Sequence, residues 1–82
     1  MRGTVKKINP RNGYFAIEIE RNSYSIFEIL SSNNIDVGDI IKGQLQELGD
    51  AILTNESKAE TINGIIQNYD CTEQQLKQQL KF

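Results

Sequence analysis

From position 14 to 20 the chain reads Tyr-Phe-Ala-Ile-Glu-Ile-Glu. Strict alternation of this kind suits a half-buried strand and no helix. Successive side chains on a strand point to opposite faces, so Phe15, Ile17 and Ile19 share one face. Tyr14, Ala16, Glu18 and Glu20 share the other, and the two glutamates mark it as the wet one. Such a strand needs partners, and the flanking segments supply them. Residues 3–9 read as a strand with Val5 and Ile8 directed inward. Their odd spacing calls for a bulge at Lys6–Lys7. Pro10-Arg11-Asn12-Gly13 is a turn, since Pro fixes φ and Asn-Gly tolerates positive φ. Arg21-Asn22-Ser23 reverses the chain again, so the first three strands form a meander. The third, 24–29, has no clear facing, because Tyr24 and Ile26 alternate with Ser25 and Phe27.

The second half is less regular. Residues 31–36 are polar and turn-rich. Val37-Gly38-Asp39 leads into a fourth strand, 40–48, with Ile41 and Leu45 on one face. Gly43 between them marks a close backbone approach or barrel coiling. Gly49-Asp50 turns the chain, and Ala51 begins a fifth strand, 51–55. Ser57 and Glu60 fit a capping box, and Ala59, Ile62 and Ile66 have helical spacing. Thr61, Ile62, Ile65 and Ile66 are β-branched and Gly64 is a poor helix former, which favours strand over 60–68, with Asn63-Gly64 as a bulge. Thr72-Glu73-Gln74-Gln75 is a capping box opening a terminal helix. Glu73 in its first turn and Lys77 and Lys81 toward its end suit the helix dipole. So short a helix must dock to persist. Leu76 and Leu80, at i and i+4, form its docking stripe, with Tyr69 and Cys71 beneath.

Composition narrows the chemistry. Eighty-two residues make one domain with one small core, and 12 of them are Ile, which fits strands better than helices. A single Cys excludes a disulfide framework, and with no His it leaves no set of zinc ligands. No metal site, cofactor or catalytic group is expected. Glu18, Glu20 and Glu28 have no base, nucleophile or metal partner beside them in the pattern. No apolar run is long enough to cross a membrane, and there is no signal-peptide core, so a soluble cytoplasmic protein is expected. Residues 1–30 carry five Lys and Arg against three acids, whereas residues 31–82 carry four against eight. The net charge of −2 thus hides a basic opening strand.

Met1-Arg2-Gly3-Thr4-Val5-Lys6-Lys7-Ile8-Asn9 followed by Gly13-Tyr14-Phe15-Ala16-Ile17 resembles the start of a cold-shock domain. That family opens M-x-G-x-V-K-W-F-N and continues K-G-F-G-F-I. Val37-Gly38-Asp39-Ile40-Ile41-Lys42-Gly43 is similar to the fourth-strand entry of many OB-fold domains. The resemblance covers residues 1–55 and is best over 1–19. It implies a mainly β fold: a five-stranded antiparallel OB-like Greek-key barrel over residues 1–69, with a short C-terminal α-helix, 70–82, on or beside it.

In the cold-shock family, single-stranded nucleic acid lies across strands one to three, with exposed rings stacking bases and lysines holding phosphates. Carried over, this implies a site of Lys6, Lys7, Arg11, Tyr14 and Phe27. The platform is reduced: the family's exposed Trp is Lys7 here, its second motif aromatic is Ala16, and its third-strand aromatic–His–aromatic stretch falls at Ile26-Phe27-Glu28. With each stacked base worth ~1–3 kcal/mol, Tyr14 plus Phe27 supply ~2–6 kcal/mol before ordering costs. With at most four nearby cations added, the surface implies single-stranded RNA or DNA binding at micromolar affinity or worse. The alternative is a module that binds protein, or a second copy of itself, through Leu76 and Leu80. Burial of Phe27 favours the second reading; its exposure beside Lys6, Lys7 and Tyr14 favours the first. Cys71, just before the helix, reads as a small buried residue rather than a reactive thiol.

Overall fold

The computed structural model describes residues 1–79. Six strands and one helix follow in order: β1 (Arg2–Asn9), β2 (Tyr14–Glu20), β3 (Ser23–Ile29), β4 (Ile40–Lys42), β5 (Gly49–Asn55), β6 (Glu60–Cys71) and α1 (Glu73–Gln79). The strands close into a barrel in the spatial order β1-β2-β3-β6-β5-β4, and every neighbouring pair is antiparallel. The barrel therefore has six strands rather than five. The chain makes one meander, β1 to β3. It then crosses over through residues 30–39 to place β4 beside β1, and returns in a second meander. Laying the fourth strand beside the first is the Greek-key connection.

The expected bulge in β1 is present, with the register against β2 shifting between Val5 and Lys7. That shift lets Val5 and Ile8 both pack on the interior cluster. The fourth strand is far shorter than 40–48, and Gly49-Asp50 does not turn the chain but opens β5, paired with Ile66 and Ile65. Pairing stops at Lys42, and the chain leaves the sheet at Gly43, where a Cβ would stand 2.5 Å from Leu53 Cδ2. Leu45 still reaches the core from the following loop, held there by Ser25 Oγ donating to the Leu45 carbonyl.

Residues 60–68 are strand, and β6 continues to Cys71, into the segment assigned to the helix. Asn63-Gly64 forms no bulge; the register through Glu28↔Ile65 and Ile29↔Gly64 is continuous. Gly64 is needed for space instead. A Cβ there would lie 2.1 Å from the Glu28 carbonyl oxygen and 2.4 Å from Phe27 Cζ, so its absence admits the Phe27 ring. The register slips further along, as Phe27 faces Ile66, Ile26 faces Asn68 and Tyr24 faces Cys71. These slips and the positive φ of Asp70 turn Cys71 onto the outside of the barrel. Tyr69 falls among the extra residues and is 37% exposed, not packed beneath the helix.

Burial divides into two clusters. The first fills the barrel, with Phe15, Ile17, Phe27, Ile41, Leu53, Ile62 and Ile66 at its heart. The second lies outside the wall, where Ala16, Tyr24, Ile26 and Cys71 meet Leu76 of α1, with Tyr14 at the margin. The facing of β3 is ambiguous in the sequence because both of its faces are buried: Tyr24 and Ile26 under the helix, Ser25 and Phe27 in the barrel.

Candidate functional site

The sheet face that the cold-shock resemblance assigns to nucleic acid is the outer surface of β1–β3. The structure places α1 on it. The helix starts with the expected capping box: the Gln75 backbone N–H donates to Thr72 Oγ1 at 3.2 Å, and the Thr72 N–H donates to Gln75 Oε1 at 2.8 Å. Asn22, in the αL turn between β2 and β3, accepts a third bond at 3.0 Å from the Glu73 N–H. Leu76 then seats fully buried against Ala16, Tyr24, Ile26 and Cys71, so it is an internal contact and not the exposed stripe expected to meet a partner. Leu80 and Lys81, the other residues expected to serve this helix, lie outside the described residues.

The five residues expected to form one site are separated by this arrangement. Phe27 is a correction: it is fully buried inside the barrel, on the opposite face of β3 from any stacking surface. Alternation decides this, since Phe27 pairs with Phe15 on the inward face of β2. Tyr14 is on the outer face but half-buried at the edge of the helix cluster. Lys7 Nζ stands 3.2 Å from Glu73 Oε1 of α1, and Lys6 Nζ is 3.8 Å from Glu18 Oε1. Arg11 is exposed in the β1–β2 turn, where its N–H donates to Asn9 Oδ1 at 3.1 Å. The outer face thus offers one partly covered ring and two lysines beside carboxylates.

Glu18 and Glu28 are not neighbours. Glu18 faces Tyr24 and Glu28 faces Tyr14, with the covered Ala16–Ile26 pair between them, and Glu28 accepts from Gln67 Nε2 at 2.7 Å. Burial, with the Asp70 charge, pushes the Cys71 thiol above its ordinary range and makes it a poor nucleophile at neutral pH. Among the described residues no group of His, Cys, Asp and Glu is arranged to hold a metal ion, and no helix is long and apolar enough to cross a membrane.

Two features escape the sequence reading. One is a polar clasp on the barrel. Buried Asn55 donates to Asp39 Oδ2 at 2.8 Å, and Lys58 Nζ stands 3.2 Å from the same oxygen and 2.7 Å from Asp36 Oδ2. Burial alone would raise the Asp39 carboxyl. The Asp36 N–H, the Asn55 amide and the Lys58 ammonium together hold it below its ordinary value. The clasp ties the crossover to the β5–β6 turn, which is a structural task. No periodicity reveals it, because its members are distant in sequence.

The other feature is a groove of about 550 Å³ beside β5, with Leu30, Ile52, Ala51 and Leu53 among its walls and Glu47 and Asp50 at its polar side. Leu30 and Ile52 are 62% and 75% exposed. No signal in the sequence joins Leu30 to Ile52. They meet because the Leu30 N–H bonds to the carbonyl of Asn63, which pairs with Ile52. No protein-family model, curated protein or solved structure matches this chain.

Proposed function

We propose that this chain is a small OB-like module that binds protein and does not grip single-stranded nucleic acid on its β1–β3 face. The observation that carries the reading is Leu76 seated over Ala16, Tyr24 and Ile26, where bases would have to stack. The magnitudes favour the cover. One stacked base on Tyr14 is worth ~1–3 kcal/mol. Lifting Leu76 alone re-exposes an apolar side chain at ~1.5–3 kcal/mol, before Tyr24, Ile26 and the cap are counted. Nucleic acid would thus gain about what it must first undo. The phosphate side is weak as well, since Lys7 stands beside Glu73 and Lys6 beside Glu18.

Fluorescence anisotropy tests the reading, using labelled oligothymidine and oligouridine of about ten nucleotides at low salt. The expected result is no saturable binding up to ~100 μM protein. Binding that weakens with salt and disappears in Lys6→Ala/Lys7→Ala would overturn it.

A further inference from the structure

Alternation places the walls of the groove on the outer face of the barrel. Leu53 points inward and Ala51 packs on the core, so Asp50 and Ile52 share the outer face of β5. Ile62 is buried inside and Gly64 faces the Phe27 ring, which turns Asn63 outward on β6. Asn63 lies between Ile52, its partner on β5, and Leu30, whose N–H bonds to its carbonyl. Leu30 and Ile52 therefore stand two strand spacings apart, ~10 Å, with Asn63 between them. That gap admits one row of side chains from a helix lying across the sheet. The barrel already shows how such a stretch of outer wall is closed: Leu76 of α1 seats on Ala16, Tyr24 and Ile26. Leu30 and Ile52 have no cover of this kind among the described residues and stay exposed. Charge narrows what can lie over them. Asp50 shares the face of Ile52, two residues along, and Glu47 lines the same groove. Neither carboxylate has an ion-pair partner among the described residues, and no Lys or Arg lines the groove. A second copy docking face to face would set these carboxylates against their own counterparts.

We infer that this outer face takes an amphipathic helix of a partner protein, with an apolar row seated between Leu30 and Ile52 and lysine or arginine along the edge that meets Asp50 and Glu47. The apolar row, spaced at i, i+4 and i+7, supplies the affinity. The carboxylates fix the orientation of the helix, and they disfavour acidic helices and a nucleic-acid backbone alike. The inference rests on the protein-binding reading and names the kind of partner for it.

The test uses the whole chain and a synthetic helical peptide of about 14 residues, with leucines at i, i+4, i+7 and i+11 flanked by lysines. One control peptide carries glutamates in place of the lysines, and a second carries a proline at its centre to break the helix. Two-dimensional amide NMR should show the lysine peptide shifting the resonances of Leu30, Ile52 and Asn63. Both controls should bind at least about tenfold more weakly. Leu30→Ser with Ile52→Ser, and separately Glu47→Lys with Asp50→Lys, should each weaken the lysine peptide by about tenfold. All four positions are exposed, so the urea midpoint should stay unchanged. Silence at Leu30 and Ile52, equal binding of either control peptide, or shifts centred on Ala16, Ile26 and Leu76 would each overturn the inference. So would pairing of two copies through Ile52 without peptide. Failure of the underlying reading registers elsewhere, as oligonucleotide shifts at Lys6 and Lys7.

Discussion

The interior of the barrel and the patch beneath α1 bury side chains of the same strands by different means. Inside, Phe15, Ile17 and Phe27 are enclosed because the sheet closes on itself, and each strand contributes its inward set at period two. Outside, Ala16, Tyr24 and Ile26 occupy positions that alternation gives to solvent. They are dry because a helix some fifty residues downstream in sequence was folded back onto them. The interior is thus a property of the sheet, and the outer patch a property of the tail. This difference also separates fold from function. Left uncovered, this patch would be an exposed apolar surface, whereas here it is an internal contact.

Three experiments test whether the interior and the outer patch are held independently. The largest effect belongs to the interior. Phe27→Ala should cost about 3–5 kcal/mol and collapse barrel and helix together in a urea titration, because the ring fills the space that Gly64 leaves open. A loss below ~1 kcal/mol would show that the ring is not a core element.

Leu76→Ala should cost about 2–3 kcal/mol, and its signature should be local. Amide exchange should accelerate in α1 and on the outer residues of β3 while the inward strands stay protected. Uniform acceleration would mean that the helix is part of the barrel's core and would erase the distinction.

The smallest effect is a slope with pH. Asp39 belongs to the barrel's clasp, and its lowered value means that the folded chain binds this proton more weakly than the unfolded one. Its contribution is therefore complete above the unfolded carboxylate value near pH 4 and is lost as pH falls through the lowered folded value. Acid should release the clasp, and Asp39→Asn should flatten the dependence below pH ~4. Equal acid sensitivity in both proteins would remove Asp39 from the account.

Much of the first meander was legible because its signals are local. The alternation of β2, the bulge between Val5 and Lys7, and the Thr72–Gln75 capping box each lie within a few residues, where sterics and hydrogen bonding act without help. The errors share a cause in contacts between distant residues. Phe27 reads equally as platform or core until Phe15 and Gly64 are placed against it. Tyr69 reads as packing until the register slips between β3 and β6 turn it outward. Gly43 signals the close approach that the structure shows against Leu53, but the end of β4 at Lys42 depends on its pairing with β5, which is distant in sequence. Of the site expected on β1–β3, the residues Lys6, Lys7 and Tyr14 do lie along the outer wall, but nothing within that segment announces the helix that closes over it.

The leading strands, the apolar side of β2, the turns of the first meander and the start of the tail helix are all written in the sequence. Each of these follows from φ/ψ preference and side-chain periodicity within a few residues. That six strands close the ring and that the tail covers the outer wall was settled by tertiary contacts alone. Those outcomes depend on which distant surfaces meet, and burial free energy is defined only once both surfaces are in place.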